Sequence, residues 1–178
     1  AEGRLDTAIV ALPVSEPGLT EVPLFAEEFL LVRPRADAGK PVPSSEMLRE
    51  MRLLLLEEGH CFRDQALSFC KMSPGVARDM MEGSSLSTLV QMVGAGIGVT
   101  LIPQMAIPIE TRSAEVAVTR LPAPRPSRTI GMVWRKTNPL ANQLEQITAC
   151  VREVAIAGTA PPHGFPVSVV PPPAPADP

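Results

Sequence analysis

The stretch SSLSTLVQMVGAGIGVTLIPQ, residues 84–104, constrains the fold of this chain more than any other segment. Leu86, Leu89, Val90 and Val93 recur at three- or four-residue spacing, the signature of one helix face, and Ser84 or Ser85 stands where an N-cap belongs. GAGIG (94–98) follows, and GIGVTLIPQ (96–104) then reads as a strand entered through glycines. A helix that turns through glycine directly into a strand predicts a layered α/β fold with an open sheet. GAGIG lacks the Lys-Ser/Thr pair of a phosphate loop, and its glycines come after a helix and before a strand, the reverse of a dinucleotide fingerprint. It is read as a tight helix-to-strand turn.

The remaining segments extend that pattern. LDTAIVAL (5–12) predicts a buried strand stopped by Pro13, EPGL (16–19) a turn, and VPLFAEEFLLVRP (22–34) a long strand. SSEMLREM (44–51) predicts a short helix capped by Ser44 or Ser45, RLLLLEEGH (52–60) a four-leucine strand, and VARDMMEG (76–83) a further strand. EVAVTRLP (115–122) and RTIGMVWR (128–135) read as strands. LANQLEQITACVREVAI (140–156) reads as an amphipathic helix with Leu140, Leu144, Ile147 and Val151 on its apolar face. From Gly158 to Pro178 proline is too dense for helix or sheet, because each proline lacks a backbone donor; this tail is expected to be disordered with polyproline character.

Composition narrows the function classes. Of 178 residues, 45% are apolar but only 3% aromatic, so Leu, Ile, Val, Met and Ala must fill the core, and Met80 and Met81 are read as gap fillers there. With Lys+Arg 16 against Asp+Glu 19 the net charge is −3, which gives no long-range attraction to nucleic acid; a DNA-binding element would lie outside these residues. Three cysteines argue against a disulfide scaffold. No basic start followed by an apolar run is visible, and no apolar segment is long enough to span a bilayer, so a cytoplasmic location without membrane contact is expected.

GHCFRDQALSFC (59–70) is the stretch with chemistry in it. As a helix it would gather Phe62, Ala66, Phe69 and Cys70 on one apolar arc and leave Cys61 at the first turn, where free amides and the helix dipole favour a thiolate. His60 and Arg63 could add donors or positive charge. Asp64 could hold one of them in place or oppose ionisation. Nine residues of helix separate two Cα atoms by ~14 Å along the axis and put them on opposite faces, whereas a disulfide tolerates at most about 7 Å. If the segment is helical and the pair closes, part of the helix must melt. On these residues alone three readings stay open: two inert core thiols, a redox pair, or a metal site. The last fits worst, since His60, Cys61 and Cys70 match no common zinc spacing and His163 lies in the tail. Cys150, beside apolar positions of the last helix, is expected to be inert and at least half-buried.

GHCFRDQALSFC, followed by SSLSTLVQMVGAGIGVTLIP and by PRPSRTIGMVWR (124–135), closely resembles the regulatory domain of the OxyR family, the hydrogen-peroxide-sensing LysR-type transcriptional regulators. The resemblance runs from about Leu5 to the final helix and leaves out the proline-rich tail. The match around the cysteines is specific; the helix–glycine–strand part is shared more loosely among LysR-type effector domains. It implies an α/β, periplasmic-binding-protein-like regulatory domain of two lobes over residues 1–157, incomplete in its first lobe, with 158–178 as the tail. It implies Cys61 as the peroxide-reactive cysteine and Cys70 as the resolving one. His60, Asp64 and Arg128 would support the peroxide site, and Arg63 also matches the pattern, without a definite role. Ser84, Ser85, Ser87 and Thr88 would face the effector cleft, although their first reading is as caps and surface residues. Arg125, Arg135 and Lys136 are read as a solvated face.

Some family parts have no counterpart here. These are the winged helix-turn-helix, the linker helix and the first strand–helix–strand portion of the regulatory domain, including threonine hydroxyls of the peroxide pocket. Apolar edges are therefore expected to be exposed. The resemblance implies a non-enzymatic sensor without cofactor or metal. Its partners would be hydrogen peroxide, a like subunit in a dimer or tetramer, a glutaredoxin-like reductant, and promoter DNA and RNA polymerase through the absent N-terminal part. Three rivals remain: a metabolite-binding LysR-type domain with reduced cysteines, a thiol peroxidase or oxidoreductase, and a structural interaction module.

Overall fold

The computed structural model describes residues 5–58, 61–70, 81–157 and 168–169. The chain divides into two compact units, Ala1–Glu27 with Ser127–Pro178, and Glu28–Pro126.

In the first unit β1 (Thr7–Leu12) lies antiparallel to β7 (Ser127–Arg135), in register from Thr7 opposite Trp134 to Leu12 opposite Thr129. β7 in turn neighbours β2 (Leu19–Pro34), whose early residues belong to this unit. The alternation of β2 and β7 sends Leu24, Met132 and Trp134 to one face, where they meet Leu144 of α5 (Ala141–Ala157). Val22, Phe25, Ala141 and Val151 close the rim of this cluster. Trp134 is the chain's single tryptophan, and its burial supplies much of the apolar area that an aromatic-poor core lacks.

The helix face differs from the one that periodicity predicts. Leu144 is 4% exposed, but Ile147 is 47% and Leu140 is 42% exposed. Thr148 is buried in place of Ile147 and settles its hydroxyl by donating to the Glu145 carbonyl at 2.6 Å. Residues 141, 144, 148 and 151 therefore face the sheet, a stripe turned by about 50° from the face that periodicity predicts. β1 corrects another expectation. It ends the strand order, so one edge is unpaired among the described residues, and Leu5 and Ile9 are exposed rather than buried. A two-residue strand, β8 (Ser168–Val169), pairs with Phe25–Ala26, which places a piece of sheet inside the proline-rich tail.

In the second unit the later half of β2 lies between two antiparallel partners. Val32 faces Thr100 of β5 (Thr100–Pro103) and Val118 of β6 (Val116–Arg120). Flanked on both sides, the run Phe29–Val32 is wholly buried. α1 (Ser45–Glu50) is capped by Ser44, which accepts from the Met47 amide at 3.3 Å. α3 (Leu86–Gly94) is capped by Ser85. Gly96 then takes φ +78°, a left-handed turn that residues with a Cβ adopt reluctantly. A Cβ on Gly98 would sit 2.3 Å from the Arg52 carbonyl oxygen. Only glycine permits the approach in which the Val99 amide donates to Arg52 and the Leu54 amide to Val99.

The four-leucine run forms less strand than expected. Leu53 bridges Val99, and only Leu55–Leu56 (β3) pair as a strand, parallel to Glu82–Gly83 (β4). All four leucines are nonetheless buried. Residues 71–80, and with them most of the strand read over 76–83, lie outside the described residues; Met81 is exposed and fills no gap in the core.

Leu144→Ala should destabilise the chain by about 2–5 kcal/mol through the cavity it leaves, whereas Ile147→Ala should change stability by no more than about 0.5 kcal/mol. Urea unfolding of both variants checks which stripe of α5 is the packing face.

Candidate functional site

The cysteine segment does form a helix. α2 runs from Cys61 to Phe69, and the Cys70 amide extends its ladder by donating to the Ala66 carbonyl at 3.1 Å. Phe62, Arg63, Ala66, Leu67 and Cys70 are buried, while Asp64 and Ser68 are exposed. The buried arc differs from the expected one: Phe69 is only half-buried, and Arg63 takes a place inside. Phe62 anchors the arc by meeting Phe29 of β2 edge to face, with ring centroids 5.1 Å apart.

Cys70 lies in the middle of this arc, at 0% exposure, as a free thiol. Burial pushes its pKa from 9.0 up to about 11, and the nearby Arg49 guanidinium partly opposes that shift. Arg49, on α1, also donates its Nε to the Cys70 carbonyl, satisfying an acceptor at the helix C-terminus. At the other end, Cys61 is the first residue of α2. An unbroken helix from 61 to 70 holds the two Cα atoms ~14 Å apart along its axis and half a turn out of phase. The geometry inferred for the reduced pair is thus the one the backbone adopts.

Arg63 ties α2 to the ribbon beneath it. Its Nη1 donates to the Leu56 carbonyl of β3 at 2.8 Å and to the Glu82 carboxylate of β4. Arg63 is 4% exposed, so its guanidinium is withdrawn from solvent, while the Glu82 carboxylate stays partly exposed. Asp64 stands one turn on from Cys61, in the first turn of the helix. His60 lies outside the described residues.

Arg128 sits on β7 in the first unit, whereas Cys61 and Cys70 belong to the second. Its Nε donates at 2.8 Å to Glu27, a carboxylate that is 2% exposed on β2 of the same unit. Sequence reasoning missed Glu27. The signal was present: two adjacent carboxylates inside the apolar strand VPLFAEEFLLVRP require buried cations. Glu28, the second of them, is met by Arg120 at 2.8 Å and Arg125 at 3.5 Å, so Arg125 is not simply a solvated charge. Arg135 and Lys136 are exposed as expected.

The hydroxyls before and within α3 are mostly engaged locally. Ser85 Oγ accepts from the Thr88 amide at 3.2 Å and lies 3.0 Å from Thr88 Oγ1. Ser87 donates to Glu110 at the end of α4 (Ile107–Glu110), and Ser84 is exposed. Cys150 is exposed on α5 and not half-buried, because it falls outside the 141–144–148–151 stripe. No group of three or more His, Cys, Asp or Glu among the described residues could hold a metal ion, and no described helix is long and apolar enough to cross a membrane.

The sequence model for the LysR substrate binding domain matches residues 1–156. The chain belongs to the LysR substrate-binding domain family. It is 44% identical over 156 residues to a probable hydrogen peroxide-inducible genes activator of Streptomyces viridosporus, covering 85% of this chain and 50% of that protein. Among solved structures, the H2O2-bound form of a cysteine-to-serine mutant of Corynebacterium glutamicum OxyR matches with a TM-score of 0.77 and 33% identity, over 85% of this chain and 49% of that one. The reduced form of the OxyR regulatory domain from Pseudomonas aeruginosa matches with a TM-score of 0.70 and 35% identity, over 85% and 74%. As a LysR-type domain the chain is closely homologous to OxyR regulatory domains and shares their two-unit α/β fold. It spans about half the length of the curated relatives it matches.

Cys70 also gives this LysR-type domain a pH signature. The unfolded thiol loses its proton near pH 9, whereas the folded one keeps it to about 11. Above pH 9 the unfolded state therefore binds fewer protons, and stability falls as pH rises from about 9 to about 11. Relative to Cys70→Ala, the wild-type chain should lose about 2–3 kcal/mol across that window, read from denaturant midpoints at successive pH values.

Proposed function

We propose that this chain is the redox-sensing regulatory domain of a LysR-type DNA-binding transcriptional regulator, with hydrogen peroxide as its signal. The Cys61 thiolate attacks one peroxide oxygen, the O–O bond breaks, and the departing hydroxide takes up a proton as water. Cys61 is left as a sulfenic acid. Cys70 then attacks that sulfur: an S–S bond forms, the S–O bond breaks, and the hydroxyl leaves with the Cys70 proton as a second water. Two thiols have given two electrons to one peroxide. A glutaredoxin-like dithiol restores the pair and carries away the disulfide.

The observation that carries this reading is the placement of Cys61 at the start of α2 and of Cys70 directly after its last residue, on the same hydrogen-bonded ladder, with the Cys70 thiol buried and protonated. Cys70 cannot meet Cys61 while α2 is intact, so bond formation and loss of the helix are one event. That suits a signal better than an enzyme, because each turnover would have to unfold and refold the segment. The names of the relatives, peroxide-inducible gene activators and OxyR, point the same way. His60 and Asp64, beside Cys61, are assigned to the peroxide site; Arg128, a permanent cation, keeps the assignment that the family resemblance gives it. Ser84, Ser85, Ser87 and Thr88 keep the effector cleft as a secondary assignment, since three of them already bond to their neighbours.

In the whole regulator, remodelling around α2 would change contacts with a like subunit in a dimer or tetramer. Through the helix-turn-helix it would change engagement of promoter DNA and RNA polymerase in the cytoplasm, and so control oxidative-stress genes.

Stoichiometric peroxide followed by non-reducing peptide mapping tests this. A single peptide linking Cys61 to Cys70 is expected, with a sulfenic acid trapped at Cys61 in Cys70→Ser and no oxidation of Cys70 in Cys61→Ser. Retention of both thiols while the exposed Cys150 oxidises would refute it.

A further inference from the structure

We infer that the Arg63–Glu82 pair is a latch that sets how readily Cys61 and Cys70 join, and that its release passes the loss of α2 on to β4 and α3. The inference rests on the redox reading above and assigns it two further positioning residues. Arg63 sits on the helix that must come apart, two residues from Cys61, and is buried to 4% exposure. One nitrogen spans both strands of a minimal ribbon, reaching the Leu56 carbonyl on β3 and the Glu82 carboxylate on β4. β3 and β4 share only two residue pairs, Leu55–Glu82 and Leu56–Gly83. A ribbon so short has little hold of its own; the Leu55 amide donates to Met81 and the Glu57 amide to Gly83, and the charged clamp adds a side-chain tie across the same strands.

Melting of α2 removes the clamp. The Arg63 guanidinium then leaves a buried site for water, and Glu82, partly exposed, loses its partner. Gly83 follows directly and packs so closely on α3 that an added Cβ would come within 2.8 Å of Leu89 Cδ2. A shift of β4 therefore bears on the Leu89 side chain of α3, whose cap at Ser85 stands two residues after Gly83. The thiol chemistry is local to α2; the clamp gives it a mechanical outlet at a second helix.

The latch favours the dithiol form alone, because only that form has α2 intact. The test uses the full 178-residue chain, equilibrated between dithiol and 61–70 disulfide in a dithiothreitol redox buffer, as wild type, Glu82→Gln, Arg63→Met and the double variant. Glu82→Gln, nearly isosteric, keeps the comparison available if Arg63→Met fails to fold. Each single change should move the equilibrium at least tenfold toward the disulfide, a potential about 30 mV more negative. The double variant should move it no further than Arg63→Met. Urea unfolding should show stability lost in the dithiol form and not in the disulfide form, a difference that a generally weakened fold would not produce. An unmoved midpoint, or equal destabilisation of both forms, would overturn the latch while leaving the redox pair standing. A wild-type chain that forms no 61–70 disulfide with peroxide would overturn the functional reading, and the latch with it.

Discussion

Phe62 against Phe29, with Ala66, Leu67 and Cys70 behind it, seats one face of α2 in the core of the second unit, and the rest of the site depends on that seating. A nine-residue helix has little stability of its own in water, because nucleation is costly and few hydrogen bonds repay it. Its permanence comes from the buried arc, from Arg63 beneath its first turn and from Arg49 at its end. The same contacts keep two thiols of one helix out of reach of each other. In the proposed switch, packing energy is what stands between the dithiol and disulfide states, and a covalent bond is an input large enough to overcome it.

The Cys70 thiol is buried in an apolar face that raises its pKa and hides it from solvent oxidants. Only partial unfolding can present it. The chemistry proposed above therefore has a fixed order: reaction at the helix start first, capture by Cys70 second. Homology to OxyR regulatory domains places the chain among LysR-type domains, and the local geometry gives a physical reason why, in the proposed switch, the helix would be the moving part.

Much of this was legible in the sequence, because most segments carry their structure in short-range signals. The Ser85 cap, the glycine turn after α3 and the start of α2 at Cys61 follow from local composition and spacing. What escaped depends on pairing across long separations. Arg128 meets Glu27 across 101 residues, and Arg63 meets Glu82 across 19, and no periodicity reports such partners. Two faces were misjudged for a related reason. On α5, Thr148 goes inside where Ile147 was expected, since a threonine can satisfy its hydroxyl on its own helix and be buried cheaply. On α2, Arg63 goes inside because a carbonyl and a carboxylate await it. Hydrophobicity alone ranks both residues as surface.

The central claim is that disulfide formation and loss of α2 are the same event. Backbone amide hydrogen exchange over residues 61–70, compared between the reduced chain and the chain carrying the 61–70 bond, addresses it most directly. Strong protection in the reduced chain, falling to that of an open segment once the bond forms, is the predicted result. Undiminished protection of those amides with the bond in place would contradict it.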